Sequence, residues 1–549
     1  MSDSAMPPVS ASHSGVFAAG HLGELTWYLP FELVDDVLER TRTVQRRLRD
    51  LPSRVGVYFV LALGLYPGLG YRRVWDKLTA GLRGRAVPCP SEKGLRDLRR
   101  RLGPAPFKML FEVLAGPLAR PHTPGVRFAG LRTVAFDGCN SLKVPDTDAN
   151  RYWLGRIRYR MGFAGYPTVA LMTLVETGTR ALIGATLGSA GDRDEPGLAR
   201  RLLGLLRPDM LVLLDRAFDS NTLFAEITAT GAKLLGRCKS TRNPAVLEHL
   251  PDGSYRSELN GLPVRMIDAE VVLRGHHGRR VAGQYRLVTT LLDHRRYPAR
   301  ALIRLYHERW EIEIAYLALR HTLLNGHVLR SGDRVGLEQE LWALLVVYQL
   351  LRIAMVAAVE TRPGLDPDRA SFTSALQAAR DQLIAAPAIA PDDGRDRSGA
   401  IGSTVLATLL PDRRARHSAR IVKSYHSRYD GRGHDPRPQK PATITAIDVA
   451  ISTPLLRQPK PVKPRPAMPP GQPRADTRRH NVVAIMARDP QRAWRGHELA
   501  ELLQIKPRNL LTQLAEWTRL GLFTRVRKGT YQLAAPDTPA PNWTNPAEP

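Results

Sequence analysis

Asp137 follows the apolar run Thr133 to Phe136 (TVAF), and Asp215 follows Leu211 to Leu214 (LVLL). Both runs are short and rich in β-formers, as buried strands are. A carboxylate that closes a buried strand is costly to hide, so it must sit at a rim, cap a helix or bind a cation. Glu313 stands in the stretch YHERWEIEIAYLALR, Tyr306 to Arg320. Two strand-end aspartates and one helical glutamate match the needs of two hard divalent cations. Mg²⁺ takes a few carboxylate oxygens and keeps its other positions for water and phosphate oxygens. Arg309, Arg320 and Tyr306 beside Glu313 would then hold the phosphates of a nucleic-acid strand.

The elements must bring these groups together. Read as one helix at about 100° per residue, the stretch sets Tyr306, Arg309, Glu313 and Arg320 on one stripe. Trp310, Ile314 and Leu317 form the neighbouring apolar face, suited to pack on a core. A plain surface helix with Glu–Arg salt bridges fits the same pattern. Either aspartate alone is more often a cap or turn residue.

The blocks together resemble a known family, the DDE transposases of bacterial insertion sequences, in the group named after insertion sequence four. Its signature is Tyr, two residues, Arg, three residues, Glu, six residues, Lys. Tyr306, Arg309 and Glu313 fit it, and Arg320 stands where the Lys is expected. LLDRAFDS (Leu213 to Ser220) resembles the block around the second Asp, and RLVTTLLD (Arg286 to Asp293) the approach to the Glu. HLGELTWYLPFELVDDVLE (His21 to Glu39) is similar to the family's N-terminal domain. Arginine for lysine keeps the charge but replaces a point ammonium with a planar fork.

The resemblance implies an α/β fold. A ribonuclease H-like catalytic core carries a β-rich insertion near residues 240–290, and a helical N-terminal domain precedes it. It implies catalytic and metal-binding roles for Asp137, Asp215 and Glu313, with two Mg²⁺ ions per site (Mn²⁺ as substitute), and DNA contacts from Tyr306, Arg309 and Arg320. The activity implied is cutting at the inverted-repeat ends of an element and joining the freed 3′-OH to target DNA. The partners implied are double-stranded DNA, at element ends and target, and a second copy of the chain in a paired-end complex. The expected place is the bacterial cytoplasm, at the nucleoid. Some relatives stack an aromatic of the insertion on a flipped base; Tyr285 is the nearest candidate, and core packing suits it as well. The alternative is a regulator or domesticated transposase that binds DNA without chemistry. The intact carboxylate triad argues against it.

Charge agrees with a polyanionic partner. The 549 residues hold 80 Lys plus Arg against 52 Asp plus Glu, a net charge of +28. Such basicity suits DNA or RNA but does not separate nuclease, transposase, repressor and ribosomal factor. Cys89, Cys139 and Cys238 show neither metal spacing nor an even disulfide set, which points to a reducing compartment. The apolar runs Val55 to Tyr66 and Leu341 to Leu351 read as buried helices too short to span a bilayer, so no membrane role is expected.

Along the chain, residues 1–19 read as a disordered tail and 20–125 as a helical N-terminal DNA-binding domain. Within it Lys93, Arg96, Arg99, Arg100 and Arg101 make a dense positive face. Residues 126–435 read as the catalytic domain, ending in the basic stretch Arg413 to Arg432. A Pro-rich basic linker is expected over 436–477, a winged helix–turn–helix over 478–535 and a tail over 536–549. Arg508, Asn509, Gln513 and Arg519 on its third helix could enter a major groove. Protein docking is the other use of such a module.

Overall fold

The computed structural model describes residues 21–47, 51–82, 87–155, 158–159, 162–163, 165–189, 194–239, 241–275, 280–308, 316, 318–385, 399–412, 416–417, 442–456, 478–504, 507–519, 523–527 and 529–533. The chain divides into two compact units, Met1–Lys460 and Pro461–Pro549.

The first unit opens with helices α1 (Phe31–Arg40), α2 (Ser53–Leu65), α3 (Tyr71–Leu78), α4 (Glu92–Leu102) and α5 (Ala105–Leu114). Pro30 and Pro52 stand just before α1 and α2, where a missing N–H costs nothing, and the Ser91 hydroxyl caps α4 at Gly94 N. Of the expected positive face, Lys93, Arg96 and Arg100 are exposed. Arg99 departs from it. Its guanidinium is 6% exposed and donates to Gln339 Oε1 at 2.6 Å, Tyr71 Oη at 2.8 Å and Gly336 O at 2.8 Å. A buried guanidinium needs such partners, and here Gln339 and Gly336 come from a segment some 240 residues away.

The central sheet begins with β1 (Leu131–Lys143), β2 (Thr168–Glu176), β3 (Leu182–Gly188), β4 (Met210–Leu214) and β5 (Lys233–Arg237). Their spatial order is β3-β2-β1-β4-β5. β1–β2 and β2–β3 are antiparallel, whereas β1–β4 and β4–β5 are parallel. Parallel neighbours need crossovers. Between these strands lie α6 (Asp148–Leu154), α7 (Glu195–Arg200) and α8 (Asn221–Ala229). Alternation sends Ala135, Leu211, Leu213 and Leu235 into one core and Val134, Phe136, Val212 and Leu214 into another, on opposite faces. Burial on both faces is why TVAF and LVLL are uninterrupted apolar runs.

Beyond β5 the sheet is extended by β6 (Tyr255–Leu259), β7 (Leu262–Gly275), β8 (Arg280–Thr289) and β9 (Ala442–Ser452). β8 pairs with β5, β7 lies between β8 and β9, and β6 pairs with β7. β9 corrects the linker expected over 436–477. ATITAIDVAIS has no proline, and it pairs with β7 from Asp268↔Ser452 to Gly275↔Ile444. Arg265 of β7 is fully buried. It donates to Ser254 Oγ at 2.7 Å and Tyr297 O at 2.7 Å and is paired with Asp252. Asp252 also accepts from Ala299 N at 2.9 Å. This cluster locks the extension to the start of α9 (Ala299–Glu308).

Helix α10 (Arg334–Glu360) has 27 residues and passes by length and hydropathy for a membrane span, which corrects the expectation of a short apolar run. Its most apolar window is 89% buried inside the protein. α10 packs against α2 and α5, against α11 (Phe372–Ala385) and α12 (Gly399–Ala407). Its amides join the sheet to the N-terminal helices. Gln349 Nε2 donates to Leu114 O at 3.1 Å, and its Oε1 accepts from Leu182 N at 2.9 Å.

The second unit holds three helices, Arg478–Met486, Gly496–Leu502 and Pro507–Arg519, and a sheet of Trp494–Arg495, Thr530–Leu533 and Phe523–Arg527 in that order. Val482, Met486, Leu499, Leu510, Leu514 and Phe523 form its own core.

Candidate active site

Asp137 and Asp215 come together through strand register. β1 and β4 run parallel, with Arg132↔Met210 through Ala135↔Leu213 as partners. Two residues further along each strand lie Asp137 and Asp215. Asp215 keeps an extended backbone, φ −81° and ψ 176°, so it continues the direction of β4. Carried on past its last pair, Ala135↔Leu213, this register points both aspartates to the face shared with Ala135 and Leu213. Both side chains are half-buried. β1 does not end at Phe136, as TVAF suggests. It runs on to Lys143 with an irregularity after Cys139, so Asp137 lies inside a strand, beyond the end of its neighbour.

Local hydrogen bonds orient both carboxylates. Asp137 Oδ1 accepts from Gly138 N at 3.0 Å, and Asp215 Oδ1 accepts from Ala217 N at 2.6 Å, capping the short helix Arg216–Phe218.

A third acidic group reaches this rim, one that sequence reasoning missed. Glu195, at the start of α7, is half-buried and its carboxylate lies over Gly138. A Cβ added at Gly138 would stand 2.7 Å from Glu195 Oε1. A Cβ there would displace the end of the Glu195 side chain; the Gly138 φ is not in the left-handed region. Burial, and after it the charge of Asp215, push the Glu195 carboxyl above the ordinary glutamate range. In the sequence Glu195 reads as a helix-start acid beside the N-cap Asp194, and nothing local marks it for the site.

Tyr316 joins the same rim from the other side. Buried at 8% exposure, its hydroxyl lies 2.6 Å from Asp137 O and 2.7 Å from Thr173 Oγ1. Burial, and then the charges of Asp137 and Cys139, hold this phenol well above its usual range, against the Thr173 hydrogen bond.

The helical half differs from the single stripe expected. Arg309 and Glu313 lie outside the described residues. Tyr306 is 4% exposed, its ring edge-on to Tyr285 at 5.9 Å, so it sits in the core and not on an open stripe. Tyr285 packs there too, with the Arg237 guanidinium 4.5 Å over its ring. Arg320 is half-buried on a π-helical turn, Ala318–Leu323, with Leu324 N bonded to Leu319 O at 3.0 Å. Bonds from i to i+5 depart from the 100° spacing over Ala318–Leu323. Most of Arg413 to Arg432, and the side chains of Arg508, Asn509 and Arg519, also fall outside the described residues.

The donor set suits a hard divalent cation. Asp137 and Asp215 offer carboxylate oxygens at one rim, and Glu195, raised first by burial and then by the charge of Asp215, lies beside them. Among the described residues no three His, Cys, Asp or Glu converge closely enough to enclose an ion. The expected third ligand, Glu313, is not among them.

Residues 19–112 match the family described as insertion element 4 transposase N-terminal, and residues 131–350 match the transposase DDE domain. The chain belongs to the insertion sequence four group of DDE transposases. Within that group it is similar to transposase InsG for insertion sequence element IS4 of Escherichia coli (strain K12). The two are 27% identical over 415 residues, 73% of this chain and 92% of that protein. The mixed α/β architecture is consistent with the ribonuclease H-like core of a DDE transposase. A cryo-EM structure of the piggyBac transposase synaptic complex with hairpin DNA is a far looser likeness. It has TM-score 0.35 and 9% identity over 73% of this chain and 87% of that one, too little to bear on fold or function.

Proposed function

We propose that this protein cuts DNA at the inverted-repeat ends of an insertion element and joins the freed 3′-OH to target DNA. The observation that supports this reading is the parallel register of β1 and β4, whose last pair, Ala135↔Leu213, stands two residues before Asp137 and Asp215. Asp137, Asp215 and Glu313 are the ligand carboxylates. Bound there, two Mg²⁺ ions (or Mn²⁺ in their place) supply an ionised nucleophile and neutralise the leaving 3′-oxygen. The protein's own residues position the strand. Arg320 and Arg309 hold phosphates flanking the scissile bond, and Tyr306 supports them from the core. Water attacks first at the element end; the freed 3′-OH then attacks a target phosphodiester.

The surrounding parts fit the same reading. The exposed Lys93, Arg96 and Arg100 fall on one face of α4 at helical spacing and suit phosphates of the end DNA. The second unit, three helices and a hairpin, has the make-up of a winged helix–turn–helix and serves as a further DNA contact. Coordinated cutting of two ends calls for two copies of the chain. Sizing with and without end DNA tests this, since one chain per pair of ends would contradict it. The cytoplasm, where bacterial DNA is reached directly, is the place for such work.

The test is substitution that keeps shape and removes ligand charge. Asp137→Asn, Asp215→Asn and Glu313→Gln should each lower cleavage by more than about a hundredfold while leaving end binding intact. Near wild-type cleavage by any one of them removes that residue from the site.

A further inference from the structure

We infer that Asp219 and Arg242 are positioning residues for Asp215, a buried pair that fixes the turn on which this carboxylate stands. The inference rests on the metal-ligand role proposed above for Asp215. Asp219 follows Asp215 by four positions and closes the same short helix, Arg216–Phe218. Its side chain is 2% exposed, and both carboxylate oxygens have partners inside the protein. Oδ2 accepts from Lys239 N at 2.8 Å, and Oδ1 lies 2.5 Å from Arg242 Nη2. Asp219 is therefore an anchor and not a further cation ligand.

Arg242 is itself held from several sides. Its Nη1 donates to Asn221 Oδ1 at 2.6 Å, and its guanidinium lies 5.8 Å from the centre of the Phe224 ring. Its carbonyl accepts from Arg286 Nη1 at 2.6 Å. Arg286 of β8 in turn donates to both oxygens of Asp268 on β7, at 2.7 and 3.0 Å. The pair thus ties the turn after β4 to the loop after β5, to the start of α8 and to the sheet extension. Desolvation offsets much of the attraction within a buried ion pair, and what such a pair can supply is a fixed geometry.

That geometry reaches both strand aspartates. Asp215 Oδ1 accepts from Ala217 N at 2.6 Å, so its carboxylate moves with the turn. Phe218, between Ala217 and Asp219, is buried with its ring centre 6.3 Å from that of Phe136, the residue before Asp137. Five residues therefore carry a ligand at one end, an anchored acid at the other, and a ring that bears on the neighbouring strand. The hydrogen bonds of a 3₁₀ turn have poor geometry, so the anchor at its end decides how firmly it is held. Mg²⁺ demands near-ideal octahedral geometry, and small misplacements are felt strongly in rate.

The experiment compares full-length wild type with Asp219→Asn, Arg242→Lys and Asp215→Asn. Mn²⁺ binding is followed by the EPR signal of the free ion, cleavage of element-end DNA by its Mn²⁺ dependence, and folding by the melting temperature. Asp219→Asn keeps the shape and an acceptor for Lys239 N but removes the charge facing Arg242. It should raise the half-saturating Mn²⁺ for cleavage about tenfold and weaken Mn²⁺ binding to match, with end binding unchanged. Arg242→Lys keeps the charge and should shift both in the same direction by less. A pair that only supports the fold would lower the melting temperature and leave Mn²⁺ affinity alone; that result overturns the positioning role and leaves the site standing. Loss of Mn²⁺ binding in Asp219→Asn as complete as in Asp215→Asn would make Asp219 a ligand and overturn it too. If Asp215→Asn binds Mn²⁺ and cleaves as wild type does, the ligand assignment fails and the inference falls with it. Should Asp219→Asn fold poorly, Arg242→Lys decides: a raised half-saturating Mn²⁺ supports the role, and an unchanged one overturns it.

Discussion

The two halves of the site are built by different physics. The strand-borne half, Asp137 and Asp215, is set by a parallel register buried between two cores, and a slip of one residue would turn every side chain of β4 to the wrong face. The other half is approached from α9 (Ala299–Glu308) and from a π-helical turn at Ala318–Leu323, and Arg309 and Glu313 lie outside the described residues. Its anchors are side chains: Arg265 and Asp252 at the start of α9, and Tyr316 on Asp137. A buried sheet dictates position through backbone pairing, whereas a helix outside the sheet must be held by side-chain contacts. The first half should therefore fail through crowding and the second through loss of contacts.

Crowding is tested most sharply at Gly138. Gly138→Ala puts a Cβ 2.7 Å from Glu195 Oε1, beside Asp137. Cleavage should fall at least about tenfold, with a loss of roughly 1–3 kcal/mol in stability by thermal melting. Because the clash is with the end of a side chain, Gly138→Ala with Glu195→Ala should melt near wild type. A single Gly138→Ala variant that cleaves normally would show that the rim is slack.

Loss of contact is tested at Arg320. Arg320→Ala should slow cleavage several-fold and weaken end binding while barely moving the melting temperature, and Arg320→Lys should retain most activity. Wild-type cleavage by Arg320→Ala would leave this arginine as surface charge.

How much of this the sequence discloses follows the same division. TVAF and LVLL announce buried strands because burial on both faces leaves a continuous apolar run, and the two aspartates stand out against them. What is not legible depends on distant partners. ATITAIDVAIS is strand because β7, some 180 positions earlier, offers an edge to it. Arg99 is buried because Gln339 and Gly336 receive it, which a count of charges along α4 cannot reveal. Glu195 reaches the site only because Gly138 has no side chain, and the π-helical turn interrupts a periodicity that reads as unbroken. The family resemblance supplied the third carboxylate, which strand and helix patterns alone left ambiguous.

The smallest expected effect concerns Glu195. Its carboxyl is raised by burial and by Asp215, so the folded state holds its proton more tightly than the unfolded chain does. The penalty is absent below the ordinary glutamate range and grows as pH rises through the folded value. In chelator, Glu195→Gln should therefore melt like wild type near pH 4 and slightly higher, by about 1–2 °C, near pH 8. An identical difference at both values would mean that neither burial nor Asp215 raises the Glu195 carboxyl.

The central claim, that the paired strand ends hold the reaction's cations, is tested most directly by exchanging the ligand atom. Asp215→Cys replaces hard oxygen with sulfur, which Mg²⁺ binds poorly and softer Mn²⁺ tolerates better. End-DNA cleavage by this variant should be lost in Mg²⁺ and partly restored in Mn²⁺, with end binding unchanged in both. Cleavage at the wild-type rate in Mg²⁺ would contradict ligation by Asp215 and with it the site built on the β1–β4 register.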